Sequence, residues 1–101
     1  MTSRFEDIRN WANDRNIIEG ATTHAQFVKL MEEAGELASG IAKSKIEMVK
    51  DGIGDTIVVL TILAAQHGLS VEECVEQAWN EIKDRKGRMI NGVFVKEADL
   101  T

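Results

Sequence analysis

The sequence predicts an all-α fold of four helices with a short C-terminal hairpin or extended tail, in a chain that associates with copies of itself. Two observations carry that expectation. Four Ser/Thr-x-x-Glu/Gln patterns stand at plausible helix starts: Ser3 with Glu6, Thr23 with Gln26, Ser44 with Glu47, and Ser70 with Glu73. In each, the hydroxyl can accept from an orphan backbone N–H while the acid or amide reaches back to the cap. Between these starts, apolar residues recur at steps of three and four, the period of a helix with one buried face.

The first helix is expected from about Arg4 to Arg15, with Phe5, Ile8, Trp11 and Ala12 on one side, until Asn16 and Ile17-Ile18-Glu19-Gly20 break it. The second runs from His24 to about Ala42. Its two glycines, Gly35 and Gly40, each cost up to about 1 kcal/mol relative to Ala, and Gly35 is a candidate for close approach of another backbone. The third, Lys45 to about Gln66, contains the β-branched run Thr56-Ile57-Val58-Val59-Leu60-Thr61-Ile62, which alone would also fit a buried strand. The Ser44 cap, a length near twenty residues and Gly68 as a C-terminal stop favour helix, and an apolar surface nearly all round makes it central. The fourth starts at Ser70, places Val71, Cys74, Val75, Ala78 and Ile82 at helical spacing, and ends near Gly87. Asn91-Gly92, flanked by apolar residues, is the cue for a tight type I′ hairpin. Glu97 to Thr101 read as a frayed end.

Composition bounds the function. With 101 residues, 44% of them hydrophobic, the chain suits one small domain, residues 1–101. A net charge of -5 and a pI near 5.0 argue against a nucleic acid polymer as partner, because such binding needs clustered cations. They do not exclude a nucleotide, since a bound metal inverts the local field. Cys74 cannot pair internally and reads as core filler in a reducing cytoplasm. The N-terminal residues carry no secretory h-region, and the apolar stretch from Ile57 to Ala65 is about half of a membrane span, so a cytoplasmic protein with no membrane partner is expected.

Chemistry concentrates in Lys29-Leu30-Met31-Glu32-Glu33-Ala34-Gly35-Glu36 and, some twenty residues on, Asp51-Gly52-Ile53-Gly54-Asp55. On a helix, Lys29, Glu32, Glu33 and Glu36 share about a third of the circumference, opposite Phe27, Leu30, Ala34, Leu37 and Ile41. Asp51 and Asp55, four apart, face one way on the next helix. Packed together, two such helices bring up to five carboxylates into one volume, which is unfavourable unless a cation neutralises them. A lone Glu on a helix is ordinarily a solvated surface residue. Asp55, set among Ile53 and Ile57-Val58-Val59-Leu60, is instead expected to be buried and to need a partner. Oxygen-only ligands suit Mg²⁺ or Mn²⁺ over zinc. A di-iron bundle would need Glu-x-x-His twice, and residues 21 and 64, three before His24 and His67, are both Ala. His67 reads as a cation at a helix C-terminus and His24 as a surface residue. Trp11 and Trp79 fall on or beside apolar stripes and read first as core, with base stacking as the alternative. Lys29, Asn80, Lys83, Arg85 and Lys86 could together supply the cations and donors that phosphates need beside a metal.

The order KLMEEAGEL, then DGIGDTIVVL, then AWNEIKDRKGRMINGVFVKE resembles the all-α nucleoside triphosphate pyrophosphohydrolases of the MazG-like group, particularly the short single-domain members common in phages, from about Trp11 to Lys96. That group shows Glu-Glu-x-x-Glu followed by Glu-x-x-Asp, the acids binding Mg²⁺. Glu32, Glu33, Glu36 and Asp55 match, whereas Gly52 stands where the second motif has Glu; Asp51, one position earlier on the same face, is the nearest replacement. The resemblance implies Glu33, Glu36, Asp51 and Asp55 as ligands of Mg²⁺, with Mn²⁺ as substitute, and Glu32 as a further ligand or the base that orients water, with Glu33 sharing in catalysis. It also implies Lys29, Asn80, Lys83 and Arg85 or Lys86 as phosphate contacts, Trp11 or Trp79 as base contacts, and a homodimer or homotetramer. The function so implied is hydrolysis of a nucleoside or deoxynucleoside triphosphate to the monophosphate and pyrophosphate. The competing expectations are a non-catalytic helical oligomerisation module and a metal-binding protein without turnover, the latter motivated by Gly52.

Overall fold

The computed structural model describes residues 2–100, in two compact units, 2–71 and 72–100. The first unit holds α1 (Arg4–Asp14), the single turn α2 (Ile17–Gly20), α3 (Thr23–Ala42) and α4 (Ile46–Gln66). The second is built from α5, which begins at the junction (Val71–Ile82), and the antiparallel strands β1 (Gly87–Ile90) and β2 (Val93–Lys96), followed by a 3₁₀ turn, Glu97–Asp99. The all-α fold with a C-terminal hairpin is therefore the one the sequence predicts, with one extra helical turn where a break was expected.

Helix starts follow the capping logic in part. Ser3 caps α1, its hydroxyl accepting from Glu6 N–H at 3.2 Å. For α3 the cap is Thr22 rather than Thr23, accepting from Ala25 N–H at 3.0 Å. Ser44 is not a start: it adopts a left-handed backbone (φ 54°), and its N–H donates to Ile41 O while Lys45 N–H donates to Gly40 O at 2.9 Å. This is a Schellman ending of α3, with Ser where glycine is usual. The same pattern ends α4, with Gly68 at φ 72° and Leu69 N–H donating to Ala64 O, as its glycine foretold. The run from Thr56 to Ile62 is helical. Thr56 and Thr61 donate their hydroxyls to the carbonyls of Gly52 (2.6 Å) and Ile57 (2.7 Å), which lets Thr61 be fully buried without an unmet donor.

The first unit is organised on α4, against which α3 makes the most extensive contact and α1 and α2 smaller ones. Its core is small: Ala12, Val59, Thr61, Ile62 and Ala64 are buried. α4 is not buried all round, since Ile53, Ile57 and Leu60 remain exposed. Two glycines allow α3 and α4 to approach. A Cβ on Gly40 would lie 2.8 Å from Met48 Cβ and 3.0 Å from Val49 N, and one on Gly52 would lie 2.8 Å from Leu37 Cβ and 2.9 Å from Leu37 Cα. Gly35, the sequence candidate for close approach, has open space on its Cβ side.

In the second unit α5 stops at Ile82, five residues before the expected end. The hairpin pairs Ile90 with Val93 across Asn91 (φ 51°) and Gly92 (φ 82°), the two positive φ angles of a type I′ turn. Cys74 and Trp79 are exposed rather than core-filling. The 3₁₀ turn orders most of the tail expected to fray; Thr101, like Met1, lies outside the described residues. Among the described residues no helix is long and apolar enough to cross a membrane.

Candidate active site

The acid stretch of α3 and that of α4 meet across the close approach at Gly52. Carboxylate oxygens of Glu33, Glu36 and Asp55 lie within 4.8 Å of one another. Burial falls on the acid that spacing did not single out: Glu33 is 5% exposed, whereas Asp55 and Glu36 are exposed residues. Glu33 Oε1 takes an ion pair from Lys29 Nζ at 3.1 Å, one helical turn earlier; Glu32, largely solvated, is a looser partner of the same ammonium at 3.9 Å. Glu33 Oε2 is buried and meets no hydrogen-bond donor among the described residues. A buried carboxylate oxygen without a donor is costly unless a proton or cation reaches it.

The electrostatics reflect the crowding. Partial desolvation raises the Asp55 pKa above its ordinary value, and the neighbouring charges of Glu33 and Asp51 raise it further, against a smaller lowering by Lys29. A proton held by Asp55 can be shared with Glu33, which adds to the rise. Lys29 is pushed up, first by its hydrogen bond to Glu33 and then by that carboxylate's charge. Asp51 is felt at Asp55 but lies outside the three-carboxylate cluster, as does Glu32.

From this cluster a trough runs along α4 towards α1. A cavity of about 230 Å³ is lined by Lys29, Glu33, Asp55, Val58 and Val59. It shares Lys29, Val58 and Val59 with a neighbour of about 320 Å³ that reaches Trp11 and Gln26. That one shares Trp11 and Val58 with a third, of about 450 Å³, lined by Asp7, Ile8, Trp11 and Val58. Trp11 is thus 47% exposed and lines two cavities, and Arg15 lies over its ring, 4.6 Å from the centroid, where the cation meets the indole's negative face. Asp7 and Val58 were not among the sequence candidates. The only hint was that Asp7 stands one turn before Trp11 on α1.

Trp79 and Asn80 lie on α5, and Lys83, Arg85 and Lys86 follow its end, all exposed, in the second unit. His67 caps α4 with Nδ1 2.8 Å from Leu63 O, and His24 is exposed in the first turn of α3.

Fold and cluster together define an all-α protein whose paired helices present carboxylates suited to a hard divalent cation. Residues 21–90 match the MazG nucleotide pyrophosphohydrolase domain, and the chain belongs to that family, whose members hydrolyse nucleotide phosphoanhydrides and typically depend on divalent metals. Over 63 residues it is 55% identical to an uncharacterized 18.2 kDa protein from the rep-hol intergenic region of Haemophilus phage HP1, a match covering 62% of this chain and 39% of the relative. The chain therefore matches about two fifths of that relative's length. No solved structure matches it significantly.

Proposed function

We propose that the protein hydrolyses nucleoside or deoxynucleoside triphosphates to the monophosphate and pyrophosphate with Mg²⁺, for which Mn²⁺ can substitute. The observation that carries this reading is Glu33 Oε2, buried without a donor beside the carboxylates of Glu36 and Asp55. Such a donor-free oxygen fits a hard cation. Glu33, Glu36 and Asp55 would hold the ion, with Asp51, one turn earlier on α4, as the fourth acid of the site. When bound, the ion neutralises triphosphate charge and makes water a stronger nucleophile. Glu32, solvated and next to the cluster, orients the attacking water and accepts its proton, with Glu33 as the alternative base. Lys29, paired with Glu33 at 3.1 Å, would contact the phosphates once its carboxylate partner is neutralised by the ion. Trp11 stacks on the base at the far end of the trough. Trp79, Asn80, Lys83, Arg85 and Lys86 supply further base and phosphate contacts, a role that rests on family resemblance.

Gly52 does not argue against turnover. A Glu there has no room beside Leu37, so the fourth acid of the site is supplied from position 51. Residues 1–101 act as one catalytic domain, and a homodimer or homotetramer covers the apolar side chains of Phe27, Met31, Ile53 and Ile57, all exposed. The test is pyrophosphate release from a panel of NTPs and dNTPs with Mg²⁺, Mn²⁺ or chelator. Metal-dependent release, lost at least about a hundredfold in Glu36→Ala and Asp55→Ala, is the expected result. Release that survives chelation, or full activity in either variant, overturns the assignment.

A further inference from the structure

Lys29 and Glu33 line one cavity with Asp55, Val58 and Val59, and the buried carboxylate there already carries a cation. Lys29 Nζ stands 3.1 Å from Glu33 Oε1, one turn earlier on the same helix. The two partners differ in setting: the Glu33 side chain is 7% exposed and that of Lys29 53%. The anion is thus fixed in the interior, and the cation reaches it from water on a flexible stem. The other neighbour of the ammonium, Glu32, is 3.9 Å away and 60% exposed, a pairing too loose and too well solvated to draw it off. The ammonium therefore rests on Oε1, while Oε2 has no donor among the described residues.

A divalent ion entering at Glu33, Glu36 and Asp55 meets this ammonium as a like charge. Val58 and Val59 wall the cavity, and water screens the repulsion less there than on an open surface. In the empty site the same ammonium compensates the burial of Glu33. Both effects act in one direction: Lys29 stabilises the empty site and opposes the filled one. Resting on the metal-dependent reading above, we propose that Lys29, held against Oε1 of the buried Glu33, is a resident counter-ion that competes with the divalent ion and lowers its affinity. A residue that only contacts phosphates leaves the affinity for a metal alone unchanged when it is replaced. A residue that only supports the fold weakens that affinity. A competing counter-ion strengthens it.

The experiment is a titration with Mn²⁺ alone, without nucleotide, read by the electron paramagnetic resonance of the free ion and by calorimetry. It is run at about pH 8, where protons compete little for the carboxylates. The wild type is compared with three variants. Lys29→Met keeps an unbranched stem and removes the charge, Lys29→Gln removes the charge but keeps a donor one turn from Glu33, and Lys29→Arg keeps the charge. Circular dichroism establishes that each is folded, and Lys29→Gln decides if Lys29→Met does not fold. The expected result is a dissociation constant for Mn²⁺ about tenfold lower or more in the two neutral variants, with Lys29→Arg close to the wild type. An unchanged or higher constant in the folded neutral variants overturns the proposal, and Mn²⁺ binding by the wild type then leaves the metal reading standing. If neither the wild type nor the neutral variants bind Mn²⁺, the metal reading fails and the proposal with it.

Discussion

Gly52 gives the sharpest test of how the site is held together. An added Cβ there meets Leu37 Cβ at 2.8 Å and Leu37 Cα at 2.9 Å, both on α3 and one of them backbone. Ordinary contact begins near 3.4 Å, so in Gly52→Ala the two helices must part by roughly half an ångström in an interior packed to crystal density. Overpacking of this kind costs typically 1–3 kcal/mol, and the backbone partner puts it near the upper end. Alanine returns up to about 1 kcal/mol of helix propensity, leaving a net loss of about 2 kcal/mol. Gly54, two residues on, has nothing within 4 Å of its Cβ position, so Gly54→Ala keeps the propensity gain and is stabilised by up to about 1 kcal/mol. At about 4–8 °C per kcal/mol for a domain of this size, Gly52→Ala melts about 8–16 °C lower and Gly54→Ala a few degrees higher. Thermal melts at one fixed protein concentration read both. A Gly52→Ala variant as stable as the wild type would refute the close approach of α3 and α4, and with it the reason given for Asp51 replacing the family's Glu. Gly52→Glu, which writes the family motif back into the chain, is expected to unfold rather than to activate.

Two further outcomes follow from local geometry. The folded chain raises the Asp55 pKa, so it binds more protons than the unfolded chain between the ordinary carboxylate range and that raised value; Asp55 then removes stability as pH rises through this window. With divalent ions chelated, Asp55→Asn therefore gains melting temperature over the wild type progressively as pH rises above the ordinary carboxylate range, and Mg²⁺ narrows the gap by stabilising only the wild type. A gap independent of pH contradicts the crowding described here. Ser44→Gly relieves a left-handed L-residue at the α3 Schellman end and is stabilised by about 1 kcal/mol, less the extra chain entropy of glycine. Denaturant titration reads that change, and a destabilised variant would show that the Ser44 side chain contributes something its backbone does not reveal.

Lys29 and Glu33 show why a cation would be favoured at the proposed site. A single ammonium, itself half exposed, offsets a buried Glu33 whose second oxygen has no donor among the described residues. Its hold is screened by solvent and modest in strength. On the proposed reading, a divalent ion at the same carboxylates would supply more charge than the ammonium, leaving Lys29 to meet the phosphates.

The sequence alone determined the helical class, the acid face of α3, the Gly68 ending and the Asn91-Gly92 turn, because each depends on neighbours within a turn or two of chain. Residue spacing placed Glu33, Glu36 and Asp55 on facing stripes. Tertiary structure decided which of them is buried: spacing pointed to Asp55 among apolar neighbours, but packing buried Glu33. Position 44 looked like a helix start, and the backbone made it a helix end, since a capping pattern does not say to which helix the residue belongs. Gly35 and Gly52 are equally permissive as letters, and only the crossing of α3 and α4 made Gly52 the point of contact. Asp7 and Val58 entered the trough for the same reason. A cavity belongs to several elements at once, and burial is a property of what the folded chain lays over a residue rather than of the residue's own neighbours in sequence.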